Sequence, residues 1–116
     1  NASISFLINY VDSNNYYLAQ FGKNSTNLQY ALFKVVGGTL TTLINVTNFG
    51  TWVSGTEYTF MVKNNNGVIT LYNGTTALVQ ITDTTLAGTK HGIRIYSGSG
   101  STGNTDRFNN FGVYYG

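Results

Sequence analysis

Apolar residues in this chain return at every second position, segment after segment, and that two-residue period belongs to a half-buried β-strand. In Ser3–Val11, Ile4, Phe6, Ile8 and Tyr10 fall on one face and Ser3, Ser5, Leu7 and Asn9 on the other. In Glu57–Asn64, Tyr58, Phe60 and Val62 alternate with Thr59, Met61 and Lys63. No comparable stretch keeps a helical period, and the chain has no proline.

Turn chemistry separates these runs. Asp12-Ser13-Asn14-Asn15 reads as a turn because short polar side chains mimic backbone turns and tolerate left-handed dihedrals. Tyr16–Phe21 is the next strand and Gly22–Asn27 a loop. Leu28–Val36 and Leu40–Val46 flank a tight Gly37-Gly38 hairpin signal. Thr47–Thr56 reads as an irregular loop carrying Trp52. Asn65-Asn66-Gly67 is a strong hairpin turn, since a type I′ turn needs two positive φ angles. Val68–Tyr72 leads to a second Asn-Gly turn at Asn73-Gly74, with Ala77–Asp83 after it. Thr84–His91 is a loop, Gly92–Tyr96 a short strand, Ser97–Asp106 a Gly/Ser/Thr loop, and Arg107–Tyr115 the last strand.

About nine strands with turn signals every 8–12 residues predict an all-β, antiparallel two-sheet β-sandwich. With 116 residues, the chain is expected to form a single domain over 1–116.

Composition narrows the partners. Charged residues make up 9% of the chain, so solubility rests on Asn, Thr, Ser, Gly and Tyr. Such a surface steers ions poorly and suits neutral glycans or close protein neighbours. The six Lys and Arg residues are scattered, and nucleic-acid binding would need them clustered. No apolar run approaches the ~18 residues of a membrane helix. Cysteine is absent, so neither disulfides nor thiolate chemistry are available.

Several segments together resemble the concanavalin A-like lectin/glucanase superfamily, particularly its laminin-G-like jelly rolls. They are Asp12-Ser-Asn-Asn-Tyr-Tyr-Leu-Ala-Gln-Phe, Leu32-Phe-Lys-Val-Val-Gly-Gly, Trp52 with Tyr58-Thr-Phe-Met-Val, and Gly67-Val-Ile-Thr-Leu-Tyr-Asn-Gly. Thr82-Asp-Thr-Thr-Leu-Ala-Gly, Gly92-Ile-Arg-Ile-Tyr and Phe108-Asn-Asn-Phe-Gly-Val complete the order, so the likeness spans residues 3–114. Each motif is mostly strand and turn grammar, and their order is more specific for fold than for function. Two departures stand out. Asn109 replaces the family's Asp in the closing strand. Relatives also run longer at the N-terminus, so the resemblance implies one or two strands that are missing or supplied by another domain or chain.

Carboxyl side chains bear on catalysis. Glucanases of the superfamily use paired carboxyls on alternate strand positions, and glycoside hydrolysis needs two within ~5–10 Å. Here Asp12, Glu57, Asp83 and Asp106 are the only carboxyl side chains, and none share an i, i+2 or i, i+4 spacing. No catalytic residue is therefore assigned, and the chain is read as no enzyme. His91, the only histidine, comes after Lys90 at a loop end and reads as solvent-exposed. No cofactor is assigned. The resemblance implies a rim calcium, which needs six to eight oxygen ligands; Asp12, Asn14 and Asp106 could contribute, with turn capping as the default role of all three.

Phe6, Phe33, Phe60, Phe108 and Phe111 alternate with polar residues and are expected in the core. Tyr17, Trp52, Tyr72, Tyr96 and Tyr114 are either core fillers or stacking platforms for sugar rings. Arg94 and Tyr96 share a strand face by i, i+2 spacing, and Trp52, Arg94, Tyr96 and Asn104 form the expected ligand-binding set. Asn-x-Ser/Thr triplets begin at Asn1, Asn24, Asn45 and Asn73, as chance allows in so Asn- and Thr-rich a chain. Three functions fit: a carbohydrate-binding or adhesion module of a phage appendage or bacterial surface protein, a structural virion or cell-surface assembly domain, and an accessory domain of a glycoside hydrolase. The first two place the protein outside the cell or on a virion surface. Neighbouring subunits, including a homo-oligomer, are the expected protein partners.

Overall fold

The computed structural model describes residues 2–53 and 55–97, with side chains described from Ser3 to Ile93. Within them the chain is all-β. Eight strands run β1 (Ala2–Asp12), β2 (Asn15–Asn24), β3 (Asn27–Val36), β4 (Thr39–Thr51), β5 (Phe60–Asn65), β6 (Val68–Asn73), β7 (Thr76–Thr82) and β8 (Lys90–Ser97). They form a five-stranded sheet of order β4-β3-β2-β1-β8 and a three-stranded sheet of order β5-β6-β7. Every pairing is antiparallel. The ninth expected strand, Arg107–Tyr115, lies outside the described residues, as does the Ser97–Asp106 loop beyond its first residue. No helix among the described residues is long and apolar enough to cross a membrane.

The two sheets share one apolar core, as in a β-sandwich. Tyr17, Ala19 and Phe21 of β2 and Tyr30 and Leu32 of β3 meet Ile69 and Leu71 of β6. Ile4, Phe6, Phe60 and Val62 pack around them. Full burial of one such side chain stabilises the fold by about 1.5–3 kcal/mol. Phe21 is central to this packing. It stacks on Phe60 of the opposite sheet at 4.5 Å and meets Phe6 edge-on at 5.9 Å.

Turn grammar is realised closely at Gly37-Gly38 (φ 58° and 82°) and at Asn66-Gly67 (φ 51° and 90°). Gly67 has a second reason to be glycine: a Cβ there would stand 2.5 Å from Thr84 Cγ2. Other boundaries shift. The Gly22–Asn27 loop shrinks to Ser25-Thr26, because β2 runs on to Asn24 and pairs with Asn27. The second Asn-Gly turn is centred on Gly74-Thr75, with Asn73 paired to Thr76 as the last strand residue. β4 extends through Thr51 into the expected loop, and β5 begins at Phe60, three residues late.

A bulge in β1 overturns one assignment. Asn9 adopts φ 51°, and pairing to both neighbouring strands slips around it. An inserted residue reverses the facing of every later side chain in its strand. Tyr10 accordingly leaves the Ile4–Phe6–Ile8 face and stacks on Tyr16 at 5.9 Å. The β7–β8 connection docks on this bulge. Asn9 Nδ2 donates to the Leu86 carbonyl at 3.1 Å, and Gly88 lies so close that a Cβ would meet the Asn9 and Tyr10 carbonyl oxygens at 2.5 Å. His91 is a half-buried strand residue here, not an exposed loop end; its Nδ1 accepts the Asn9 backbone N–H at 3.3 Å.

Candidate functional site

The sheet face turned away from the core carries a shallow, open concavity. Gln20, Gln29, Ala31, Phe33, Asn45, Thr47 and the neighbouring Tyr30 line a depression of about 150 Å³. Cross-strand register builds its floor: Gln20 pairs with Ala31, and Ala31 with Asn45. Small Ala31 between longer neighbours leaves the hollow.

A bulge in β4 supplies Asn45. Counted back from the Gly37-Gly38 turn, uninterrupted pairing would set Ile44 opposite Ala31. Pairing instead slips between Phe33–Thr42 and Leu32–Ile44, with Leu43 the extra residue. One inserted residue flips the strand beyond it to the other face. Leu43 and Ile44 both pack on the core, and Asn45 arrives on the outer face.

Chemically the hollow is uncharged. Gln20 donates from Nε2 to Ser3 Oγ at 2.9 Å, which orients its amide and leaves Oε1 available to accept. Gln29 and Asn45 make no side-chain hydrogen bond among the described residues, so both amides keep donors and an acceptor unspent. Thr47 adds a hydroxyl. Half-buried Phe33 adds an apolar ring, and this corrects its expected place in the core. Facing the outer side, it sits outside the central cluster of buried side chains.

The expected ligand set divides. Trp52 lies at the rim after β4, its backbone N–H donating to the Thr26 carbonyl at 2.8 Å. Its ring meets Tyr58 at 5.1 Å, and Lys23 Nζ stands 5.2 Å from its centroid. Tyr58 stacks in turn on Phe60, so Trp52 ends an aromatic ladder that reaches Phe21 in the core. Arg94 and Tyr96 belong to β8, at the sheet's opposite side from β4, with β1, β2 and β3 between. Trp52 is therefore not brought together with them. Their backbone positions do fall on the rows of the depression: Arg94 pairs with Ser5, which pairs with Gln20, and Tyr96 pairs with Ser3. Asn104 lies outside the described residues.

Of the calcium candidates, Asp12 and Asn14 close the β1–β2 turn. Asp12 Oδ1 accepts from the Asn14 backbone N–H at 2.8 Å and from Asn15 Nδ2 at 2.9 Å. The bond from the Asn15 side chain, then that from the Asn14 backbone, hold its carboxyl below the usual carboxylate range. Asp106 lies outside the described residues. No cluster of three or more His, Cys, Asp or Glu occurs among the described residues.

Asp83 forms a polar clamp at the opposite rim. Its carboxylate accepts from Tyr17 Oη at 2.6 Å, Lys34 Nζ at 2.8 Å and the Thr85 backbone N–H at 3.0 Å. Tyr17 Oη also donates to the Asp83 carbonyl at 3.0 Å and accepts from the Leu86 N–H at 3.2 Å. Burial raises the Asp83 pKa, but bonds from Lys34, Tyr17 and Thr85 outweigh it and hold the carboxyl well below its ordinary range. Burial first, and the Asp83 carboxylate second, push the Tyr17 hydroxyl up to about 12. Of the two roles the sequence leaves open for Tyr17, core filler or stacking platform, the structure shows the first: it is a core residue with its hydroxyl committed.

Comparison with protein-family models, with curated proteins and with solved structures found no match.

Proposed function

We propose that this chain is a non-catalytic carbohydrate-binding module that takes a neutral sugar on the outer face of its five-stranded sheet. The observation carrying this reading is the uncharged hollow of Gln20, Gln29, Asn45, Thr47 and Phe33. Amides and a hydroxyl match sugar hydroxyls, which both donate and accept, and an aromatic ring suits the C–H face of a pyranose. At about 150 Å³ the hollow is smaller than the ~300–1,000 Å³ of typical organic-ligand sites, so it suits one ring of a chain. Asp12 and Asp83 are occupied by a turn and a clamp, which supports a non-catalytic role. The order of the sequence motifs supports a concanavalin A-like jelly roll. Its low charge supports a place on a phage appendage or a bacterial surface protein, outside the cell or on a virion.

The second reading is an assembly domain, and β4 favours it. This thirteen-residue edge strand among the described residues carries no charged side chain, and Leu40 on it is 56% exposed. Exposed, uncharged edges invite pairing, although the bulge at Leu43 breaks the regular ladder.

A glycan array separates the readings. The binding reading expects hits among neutral glycans that persist at high salt. Asn45→Ala should weaken them about tenfold, the value of one well-placed polar contact. Trp52→Ala should matter less, because Trp52 lies apart from the hollow. A blank array from a chain that assembles into oligomers would leave the assembly reading standing.

A further inference from the structure

The β5–β6 turn carries a reactive pair that sugar binding does not use. Asn66 and Gly67 are its two central residues, flanked by paired Asn65 and Val68. Asn66 is exposed, and among the described residues its side chain makes no hydrogen bond. An asparagine before glycine is the most open setting for attack by the next backbone nitrogen, since glycine has no Cβ to obstruct it. In this turn that nitrogen is held: the Gly67 N–H donates to Asn64 Oδ1 at 2.9 Å.

We propose that Asn66 is a latent deamidation site and that Asn64 is the residue that keeps it closed. The reaction starts with loss of the Gly67 amide proton to hydroxide. The nitrogen then attacks Asn66 Cγ, the new N–Cγ bond forms, the Cγ–Nδ2 bond breaks, and ammonia leaves with a proton from water. The product is a five-membered succinimide. Water opens it at either carbonyl, giving aspartate if the new N–Cγ bond breaks or isoaspartate if the original peptide C–N bond breaks. Net, one water is consumed and one ammonia released, with no oxidant or reductant.

Asn64 blocks the first step. A hydrogen bond to the protonated form of a group disfavours its deprotonation. The surroundings reinforce it. Asp83 donates its backbone N–H to the Gly67 carbonyl at 2.8 Å, and Thr84 packs where a Gly67 Cβ would lie. Isoaspartate would add a methylene to the backbone of a two-residue loop and place a carboxylate beside the connection that holds the Asp83 clamp. Deamidation at Asn66 therefore acts on the contact between the two sheets as well as on the turn.

Asn73-Gly74 provides an internal reference. There the glycine N–H donates to a backbone oxygen, the Thr59 carbonyl, at 2.7 Å, so no side-chain substitution removes its acceptor. The test incubates the intact chain at mildly alkaline pH and tracks the amide-to-acid mass change by peptide mapping. Asn64→Ala is expected to speed conversion of Asn66 about fivefold, the factor of one ordinary hydrogen bond, with Asn73 unchanged. Asn64→Asp, which keeps an oxygen acceptor, should stay near the parent rate. Unchanged Asn66 rates in Asn64→Ala would overturn the proposal. Equal acceleration at Asn66 and Asn73 would also overturn it, because general opening of the sheet would then govern both.

Discussion

Phe21→Ala is expected to remove about 3–5 kcal/mol of stability, the usual cost of deleting a fully buried aromatic ring. Phe21 is 0% exposed and bridges the sheets by its stack on Phe60, with Phe6 against its edge. Truncation empties the space of a ring and ends the aromatic ladder from Trp52 at its inner end. A domain of this size holds about 5–15 kcal/mol in total, so the variant should lose much of its margin. Guanidinium unfolding monitored by circular dichroism measures the change. A loss under about 1 kcal/mol would mean that the sheets do not pack as described.

The second large effect concerns Asp83. Asp83→Ala should cost about 2–4 kcal/mol, because three donors lose one charged acceptor and Lys34 loses its ion-pair partner. The pair is only partly buried, at 24% and 11% exposure, which keeps the value below that of a fully enclosed bridge. The clamp also gives the parent protein a pH signature. Asp83 has a folded-state pKa below its unfolded value near 3.9, so its contribution is complete above about pH 4 and falls away as pH drops further. Tyr17 works in the opposite direction. Its folded pKa of about 12 lies above the ordinary tyrosine value of 10.0, so its contribution is complete below about pH 10 and is lost as pH rises toward 12. Urea midpoints against pH should show both limbs in the parent chain. Asp83→Asn should flatten the acid limb and Tyr17→Phe the alkaline one. An acid limb unchanged in Asp83→Asn would place the acid-labile group elsewhere.

These effects rest on contacts of very different legibility. The alternation of Ile4, Phe6 and Ile8, or of Phe60 and Val62, announces strands because side-chain direction comes directly from a period of two. Gly37-Gly38 and Asn66-Gly67 announce hairpins because few other pairs accept two positive φ angles. Phe33 misleads for a simple reason: apolar residues tend to be buried, but much folded surface is apolar too, so an aromatic side chain does not declare which face it serves. Asn9 hides its bulge because asparagine tolerates a left-handed conformation without the signal that glycine gives. The clamp joins Tyr17 to a residue 66 positions later, and only the stacking of one sheet on the other brings them together.

The hollow is the least readable feature. Gln20, Gln29 and Asn45 are ordinary polar positions on three separate strands, and nothing local marks them. The sequence reads Gly22–Asn27 as a loop, and only once the structure narrows it to a Ser25-Thr26 turn does register counting place Gln20 beside Ala31. Counting on from the Gly37-Gly38 turn fails for Asn45, because the bulge at Leu43 shifts the rest of β4 by one residue. Arg94 and Tyr96, which share a face by spacing, fall on the rows of Ser5 and Ser3 beside that site, whereas Trp52 belongs to a different rim.

The binding site itself is tested most directly by a side-chain amide NMR titration with a neutral oligosaccharide. The amide resonances of Gln20, Gln29 and Asn45 should shift together and saturate with one affinity, while the Trp52 indole stays in place. Shifts confined to Trp52, with those three amides silent, would contradict a sugar site on the outer face of the five-stranded sheet.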